Sequence, residues 1–143
     1  MIRKYEVKDV DGIIDTWYQA SMLAHPFLDS RFIEQEKHNI RNVYLPNTDT
    51  WVFESDNEVV AFIAMIENEV GAIFAKPDFH GQGIGKQLMD FVAEKNETLE
   101  VEVFQNNSIG RAFYEKYGFS EIGNHIHEET GFKLLRLRYE KNK

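Results

Sequence analysis

Three glycines at spacing two, Gly81, Gly83 and Gly85, sit in the stretch His80-Gly81-Gln82-Gly83-Ile84-Gly85-Lys86. Glycine lets the main chain take left-handed conformations and come close to a ligand. From Ile84 onward, Ile84, Leu88, Phe91 and Val92 recur at helical spacing, so the run opens a helix. A helix start carries unpaired N–H groups and the positive end of the macrodipole. The chemistry on offer is capture of a phosphate or diphosphate by the amides of residues 81–86. The plainer reading is a strand-to-helix corner with no guest, and the glycines alone do not decide between the two. Nucleotide motifs fit poorly. A P-loop needs four residues between its glycines and a Ser or Thr after the lysine. Here Gly81 and Gly85 enclose three, and Gln87 follows Lys86. A dinucleotide fingerprint needs G-x-G-x-x-G near the start of a βαβ unit, whereas this chain has G-x-G-x-G past its midpoint.

A strand must lead into this corner. Val70, Ala72, Ile73, Phe74 and Ala75 form a short apolar run that Pro77 ends. Upstream, Ile2, Tyr5 and Val7 predict a first strand, and Val10, Ile13, Ile14, Trp17 and Tyr18 a helix that Asp9 or Asp11 would cap. Pro26 breaks that helix. Asp29 or Ser30 would start a second helix, ending before Pro46. Residues 51–54 and 58–66 read as strands joined at Asp56-Asn57. Downstream, Leu99, Val101 and Val103 alternate with Glu100 and Glu102, the pattern of a half-buried strand. Asn107 or Ser108 would cap a helix that stops at Gly118, and residues 119–126 and 132–139 read as a terminal antiparallel pair. No linker or repeat interrupts residues 1–143, which are expected to form a single domain of class α/β (α+β).

Two motifs carry a family resemblance. Residues 80–85 are similar to the Q/R-x-x-G-x-G/A loop of the GNAT N-acetyltransferase superfamily, with His80 where Arg or Gln is usual. Residues 107–119, from Asn107 through Gly110, Phe113, Tyr114 and Gly118 to Phe119, resemble that superfamily's N-x-x-A-x-x-F-Y-x-x-x-G-F element, with Gly110 replacing the usual Ala. The element order β-α-α-β-β-β-α-β-α-β-β resembles the same fold over essentially the whole chain. His25-Pro26-Phe27-Leu28, after a Trp-bearing helix, is similar to a subgroup of small bacterial acetyltransferases. The resemblance implies a mixed, mostly antiparallel sheet of about seven strands with about four helices. It also implies acetyl-CoA as co-substrate, entering where the strand ending at Ala75 splays from that of residues 99–103. Backbone groups of Ile73, Phe74 and Ala75 would bind its pantetheine arm. The diphosphate would sit on His80, Gly81, Gln82, Gly83, Ile84, Gly85 and Lys86. Asn107 and Phe113 would flank the arm.

Acetyl transfer to an amine requires a neutral amine, a stabilised oxyanion and a protonated departing thiolate. Tyr114, a phenol with an ordinary pKa near ~10, is expected as the general acid; the plain alternative is a core tyrosine. A backbone N–H near Phe74 or Ala75 would meet the oxyanion. Glu69 is the expected base, placed by the two-residue period on the face of Gly71 and Ile73, with Glu67 on that face too. A carboxylate near ~4.3 needs a raised pKa or a water relay to take a proton from an ammonium, and a solvating role is the bland alternative. Trp17, His25 and Phe27 are expected at the acceptor pocket, although aromatics such as Trp17 and Phe27 are more often core than acceptor wall. His125 and His127 alternate on one strand without a third ligand, weak support for a metal, so none is expected.

Composition narrows the rest. The chain has no cysteine, which removes disulfides, zinc-thiolate sites and a cysteine nucleophile. Direct transfer in a ternary complex follows. The net charge of −8 opposes nucleic acid binding and suits cationic partners. No run reaches the ~20 apolar residues of a membrane span, and MIRKYEVKDV lacks the apolar core of a signal peptide. A cytoplasmic protein without a membrane partner is expected, and a homodimer is compatible with the sequence. The acceptor is a primary amine on a small molecule or a peptide. The competing readings are a CoA-binding sensor or interaction domain without catalysis, and a nucleotide-binding α/β protein.

Overall fold

The structure, a computed structural model, describes residues 1–142. Its elements run β1 (Ile2–Lys4), α1 (Val10–Ala24), α2 (Ser30–Asn39), β2 (Asp49–Ser55), β3 (Glu58–Ile66), β4 (Glu69–Ala75), α3 (Ile84–Ala93), β5 (Thr98–Phe104), α4 (Ser108–Tyr117), β6 (Ser120–Ile126) and β7 (Lys133–Glu140). They make one seven-stranded sheet in the order β1-β2-β3-β4-β5-β7-β6, the mixed and mostly antiparallel architecture expected. Among the described residues only β4 and β5 run parallel. Among the described residues no helix is long and apolar enough to cross a membrane.

Helices cover both faces, which is why β3 reads as an unbroken apolar run buried from Val59 to Met65. On one face α3 contributes Ile84, Leu88, Met89 and Val92, packed on Ile63, Val70, Val101 and Leu137. On the other, α1 and α2 contribute Val10, Ile13, Trp17 and Ile33, packed on Val52 and Phe62. Local chemistry sets the ends. Asp29 accepts the Phe32 N–H and starts α2. The turn at Asp56-Asn57 takes positive φ at both residues (51° and 64°), the geometry of a tight hairpin.

Three local expectations are corrected. Asp9 sits at the N-cap of α1 but makes no capping bond there. Its buried carboxylate instead accepts from both terminal nitrogens of Arg3 at 2.8 Å, and from the Glu6 N–H. The second helical segment does not stop at Pro46. It continues as a π-helical turn over Ile40–Tyr44 and a 3₁₀ turn over Leu45–Asn47, whose start tolerates a proline. Finally, a bulge at Gly71 breaks the two-residue period of β4. Ala64 pairs with Ala72, yet Met65 pairs with Val70, leaving Gly71 unmatched. Val70 therefore joins Ile73 in the α3-side core. Glu69 falls on the opposite face, that of Ala72 and Phe74, and not on the face of Ile73. Glu67 lies in the β3–β4 turn at φ 55° rather than on a strand face.

Candidate functional site

Among the described residues β4 and β5 pair only at Glu69–Glu100 and Val70–Val101. Past these pairs the strands diverge, and the opening is a cleft of about 1080 Å³ walled by Gly71–Ala75 on one side and Val101–Phe104 on the other. The edge of β4 facing this cleft is polar. Lys76 N–H donates to the Val60 carbonyl at 2.9 Å, so Lys76 and Val60 form a hydrogen-bonded pair. By antiparallel alternation Phe74 and Ala72 also turn their amide groups to β3, and Ile73 and Ala75 turn theirs into the cleft. An independent contact agrees. The Ala75 carbonyl accepts the His80 Nε2–H at 2.9 Å, from outside the sheet. Because a carbonyl only accepts, this bond also sets the His80 tautomer.

At one end of the cleft stands the glycine loop. Gly81 and Gly83 hold φ of +80° and +78°, and a Cβ at either would meet nothing within 4 Å. Among the described residues none of the six N–H groups from Gly81 to Lys86 has a partner within the protein. The first amides of α3 thus stand unpaired in a loop that lines the cleft through Gly81, Gly83, Ile84, Gly85 and Lys86. That is the donor set an anionic diphosphate requires. The Gln82 side chain is exposed and outside the cleft lining, so only its amide belongs to the cradle. Lys86 lines the cleft with its ammonium 2.9 Å from Asp90. Gly85 serves packing: its missing Cβ would stand 3.0 Å from the Phe113 ring.

Tyr114 lies in the middle, on α4, and is 7% exposed. Burial raises its phenol well above the ordinary value, so the hydroxyl stays protonated throughout the working pH range. Tyr114 lines the cleft, and among the described residues its hydroxyl has no hydrogen-bond partner. Asn107 caps α4 by accepting the Gly110 N–H at 2.8 Å, while its amide nitrogen lies 3.1 Å from His25 Nε2. It lines the cleft with both ends of its side chain engaged.

Of the residues expected at the acceptor end, Trp17 and His25 line the cleft. Phe27 does not. It packs edge-on behind His25 against Phe104 and Phe132. Glu69 does not line the cleft either. Arg136 holds it at 3.0 Å and also holds Glu100 at 2.7 Å, a cross-strand network that the β4 bulge makes possible. The residues that do face this end are Phe32, Glu36, Tyr44, Glu102 and His127. Tyr44 donates to Glu36 at 2.8 Å, and burial together with that carboxylate pushes its phenol up to about 12. His127 meets Thr130 Oγ1 at 2.9 Å through Nδ1 and stacks edge-on with Phe32 and Phe104. The sequence carried one usable signal for this group, Glu36 and Tyr44 at two-turn spacing along one helical run. Glu102 and His127 join it only through pairing in space.

This geometry has known counterparts. The family described as an acetyltransferase (GNAT) domain matches residues 46–121. A peptidyl-lysine N-acetyltransferase of Escherichia coli K12, YiaC, is 30% identical over 131 residues, 91% of this chain and 90% of that protein. The peptidyl-lysine N-acetyltransferase YjaB of Salmonella typhimurium is 29% identical over 141 residues, 96% of this chain and 97% of the relative. The apo solution structure of YjaB from Escherichia coli superposes with a TM-score of 0.88 at 24% identity, over 97% of this chain and 96% of that one. With its splayed strands, open amide cradle and buried phenol, the chain belongs to the GNAT family and is an acetyl-CoA-dependent N-acetyltransferase.

Proposed function

We propose that the acceptor is the side-chain amine of a lysine in a peptide or protein, acetylated directly in a ternary complex. One observation carries this reading. The cleft runs from an anion cradle at residues 81–86 to an aromatic end bearing Glu36 and Glu102, with the Tyr114 hydroxyl between. Carboxylates among Trp17, Phe32 and Tyr44 suit a long aliphatic chain tipped by an ammonium. The names of the two relatives support the same acceptor.

When bound, acetyl-CoA supplies an activated acetyl thioester. The amides of Gly81–Lys86 hold its diphosphate. The Ile73 N–H and C=O and the Ala75 N–H pair with its amide-bearing arm, as an added strand would. Tyr114 gives its proton to the sulfur as the thiolate leaves. The ammonium proton passes to a carboxylate of the cleft, and that role moves from Glu69, which lies outside the lining, to Glu102, which lines the cleft while Arg136 approaches it at 3.5 Å.

The test incubates the protein with acetyl-CoA and a set of peptides carrying one lysine each, with free or blocked N-termini. Thiol release is followed and the acetylated position is read by mass spectrometry. Acetylation at lysine Nε on N-blocked peptides is expected. Transfer confined to the α-amine, or thiol release independent of any amine, would overturn the reading.

A further inference from the structure

The Asn107 side chain settles the protonation of a histidine that lies 82 positions away in sequence. Its Oδ1 accepts the Gly110 N–H at 2.8 Å. A backbone N–H can only donate, so this bond decides which end of the amide is oxygen. The Nδ2 end therefore faces His25 Nε2 at 3.1 Å. An amide NH2 only donates, so Nε2 accepts and the imidazole proton sits on Nδ1.

Gly110 is part of the arrangement. A Cβ there would lie 2.6 Å from Asn107 Nδ2 and 3.0 Å from its Cγ. An alanine would push the amide off this orientation, which gives a physical reason for glycine at a position where the motif usually has alanine. The ring itself is confined. His25 is 7% exposed and meets Phe27, Phe74 and Phe104 edge-on. Burial alone moves its pKa down to about 4, with no charged group contributing. Yet among the described residues Nδ1 has no partner, it is not sealed from solvent, and the residue lines the cleft.

We propose that His25 is a hydrogen-bond donor of fixed tautomer, offering Nδ1–H to a carbonyl oxygen of a bound substrate, with Asn107 and Gly110 as the positioning residues that lock it. An N–H repels an ammonium. A neutral amine that accepted this bond would have its lone pair occupied and could not attack. A carbonyl oxygen is what remains, from the acetyl thioester or from the acceptor's peptide backbone. The second of these sources rests on the lysine-peptide reading; the tautomer lock does not.

The experiment has two arms. In the first, the protein is labelled with ¹⁵N-histidine, and long-range ¹H–¹⁵N correlations are recorded from pH 5 to 8, with His25 assigned by its loss in His25→Phe. The expected wild-type pattern is neutral, Nδ1-protonated and constant over this range. Asn107→Asp keeps an equally good helix cap but replaces the donor by a carboxylate, so Nε2 should become protonated. A wild-type Nε2–H tautomer, a ring titrating between pH 6 and 7, or an unchanged Nε2 in Asn107→Asp would each overturn the lock. No turnover is needed for this arm, so its failure is separable from failure of the acceptor assignment. In the second arm, His25→Phe is expected to lower kcat/KM about tenfold, as for a lost uncharged hydrogen bond. A loss in kcat or in acetyl-CoA affinity assigns the oxygen to the thioester, and a rise in acceptor KM alone assigns it to the acceptor. A value within twofold of wild type for both substrates overturns the substrate contact.

Discussion

Tyr114 shows how one placement turns a common residue into a reagent. The residue lines the cleft, its hydroxyl is unpartnered among the described residues, and burial keeps it protonated. Tyr114→Phe removes one oxygen and leaves the packing against Phe113 and Phe119. Steady-state kinetics should show kcat down on the order of 100-fold, the lower range for general acids, with both KM values little changed. Because burial raises this phenol, the wild-type profile should show no alkaline fall from Tyr114 below about pH 10. The two carboxylates of the opposite face separate in the same assay. Glu102→Gln should lower kcat on the order of tenfold or more, while Glu69→Gln, which removes one of the carboxylates around Arg136 and leaves Glu100 and Glu102 beside it, should stay within a factor of about two. Both tyrosine and glycines were legible in the sequence, since each sits inside a motif whose chemistry is local. The face of Glu69 was not. A single unmatched residue, Gly71, inverts it, and a bulge leaves no trace in a period of two.

At the scale of elements, the strand–loop–helix unit of β4 and α3 does most of the positioning. The strand offers the Ile73 and Ala75 backbone, and the helix start offers its amides. Two glycines in left-handed conformation join them. Gly83→Ala tests the unit. A Cβ would clash with nothing in the protein, so the cost to folding is only the left-handed backbone, about 1–2 kcal/mol. Acetyl-CoA binding should suffer more, because a strained, bulkier residue 83 disturbs the loop whose amides meet the phosphates. Calorimetric titration should show affinity reduced at least about tenfold, the equivalent of ~1.4 kcal/mol. The elements themselves were largely readable, because caps such as Asp29 and Asn107 and the turn at Asp56-Asn57 are written in adjacent residues. The π-helical turn at Ile40–Tyr44 was not, since Pro46 signals a stop while the tertiary packing of Ile40 and Leu45 carries the helical path onward.

For the molecule as a whole, the acceptor end of the cleft draws on α1, α2, β5 and the turn after β6, segments far apart in sequence. Trp17 and His25 were legible there from the sequence, but Glu102 and His127 joined them only once the chain was folded. The same long-range closure has a consequence for stability. His25 is held neutral in the native state, with its pKa down to about 4 from 6.5. Below pH 6.5 the unfolded chain takes up a proton that the native chain refuses. The associated stability is complete above that pH and is lost as pH falls toward 4, a total of roughly 3 kcal/mol. Asp9, whose carboxylate Arg3 holds below its usual value, adds its own loss only at lower pH. Urea unfolding at pH 7.0, 5.5 and 4.5 should show this decline, and His25→Phe should flatten it over that window.

The main-chain amides of Gly81–Lys86 as the grip on the coenzyme diphosphate are tested most directly by ¹H–¹⁵N correlation spectra recorded with CoA and with pantetheine, which lacks the phosphates. The expected result is that CoA shifts the amides of residues 81–86 strongly and binds far more tightly than pantetheine. Pantetheine should perturb only the neighbourhood of Ile73 and Ala75. Equal affinity for the two ligands, or CoA-induced shifts that leave residues 81–86 unmoved, would contradict it.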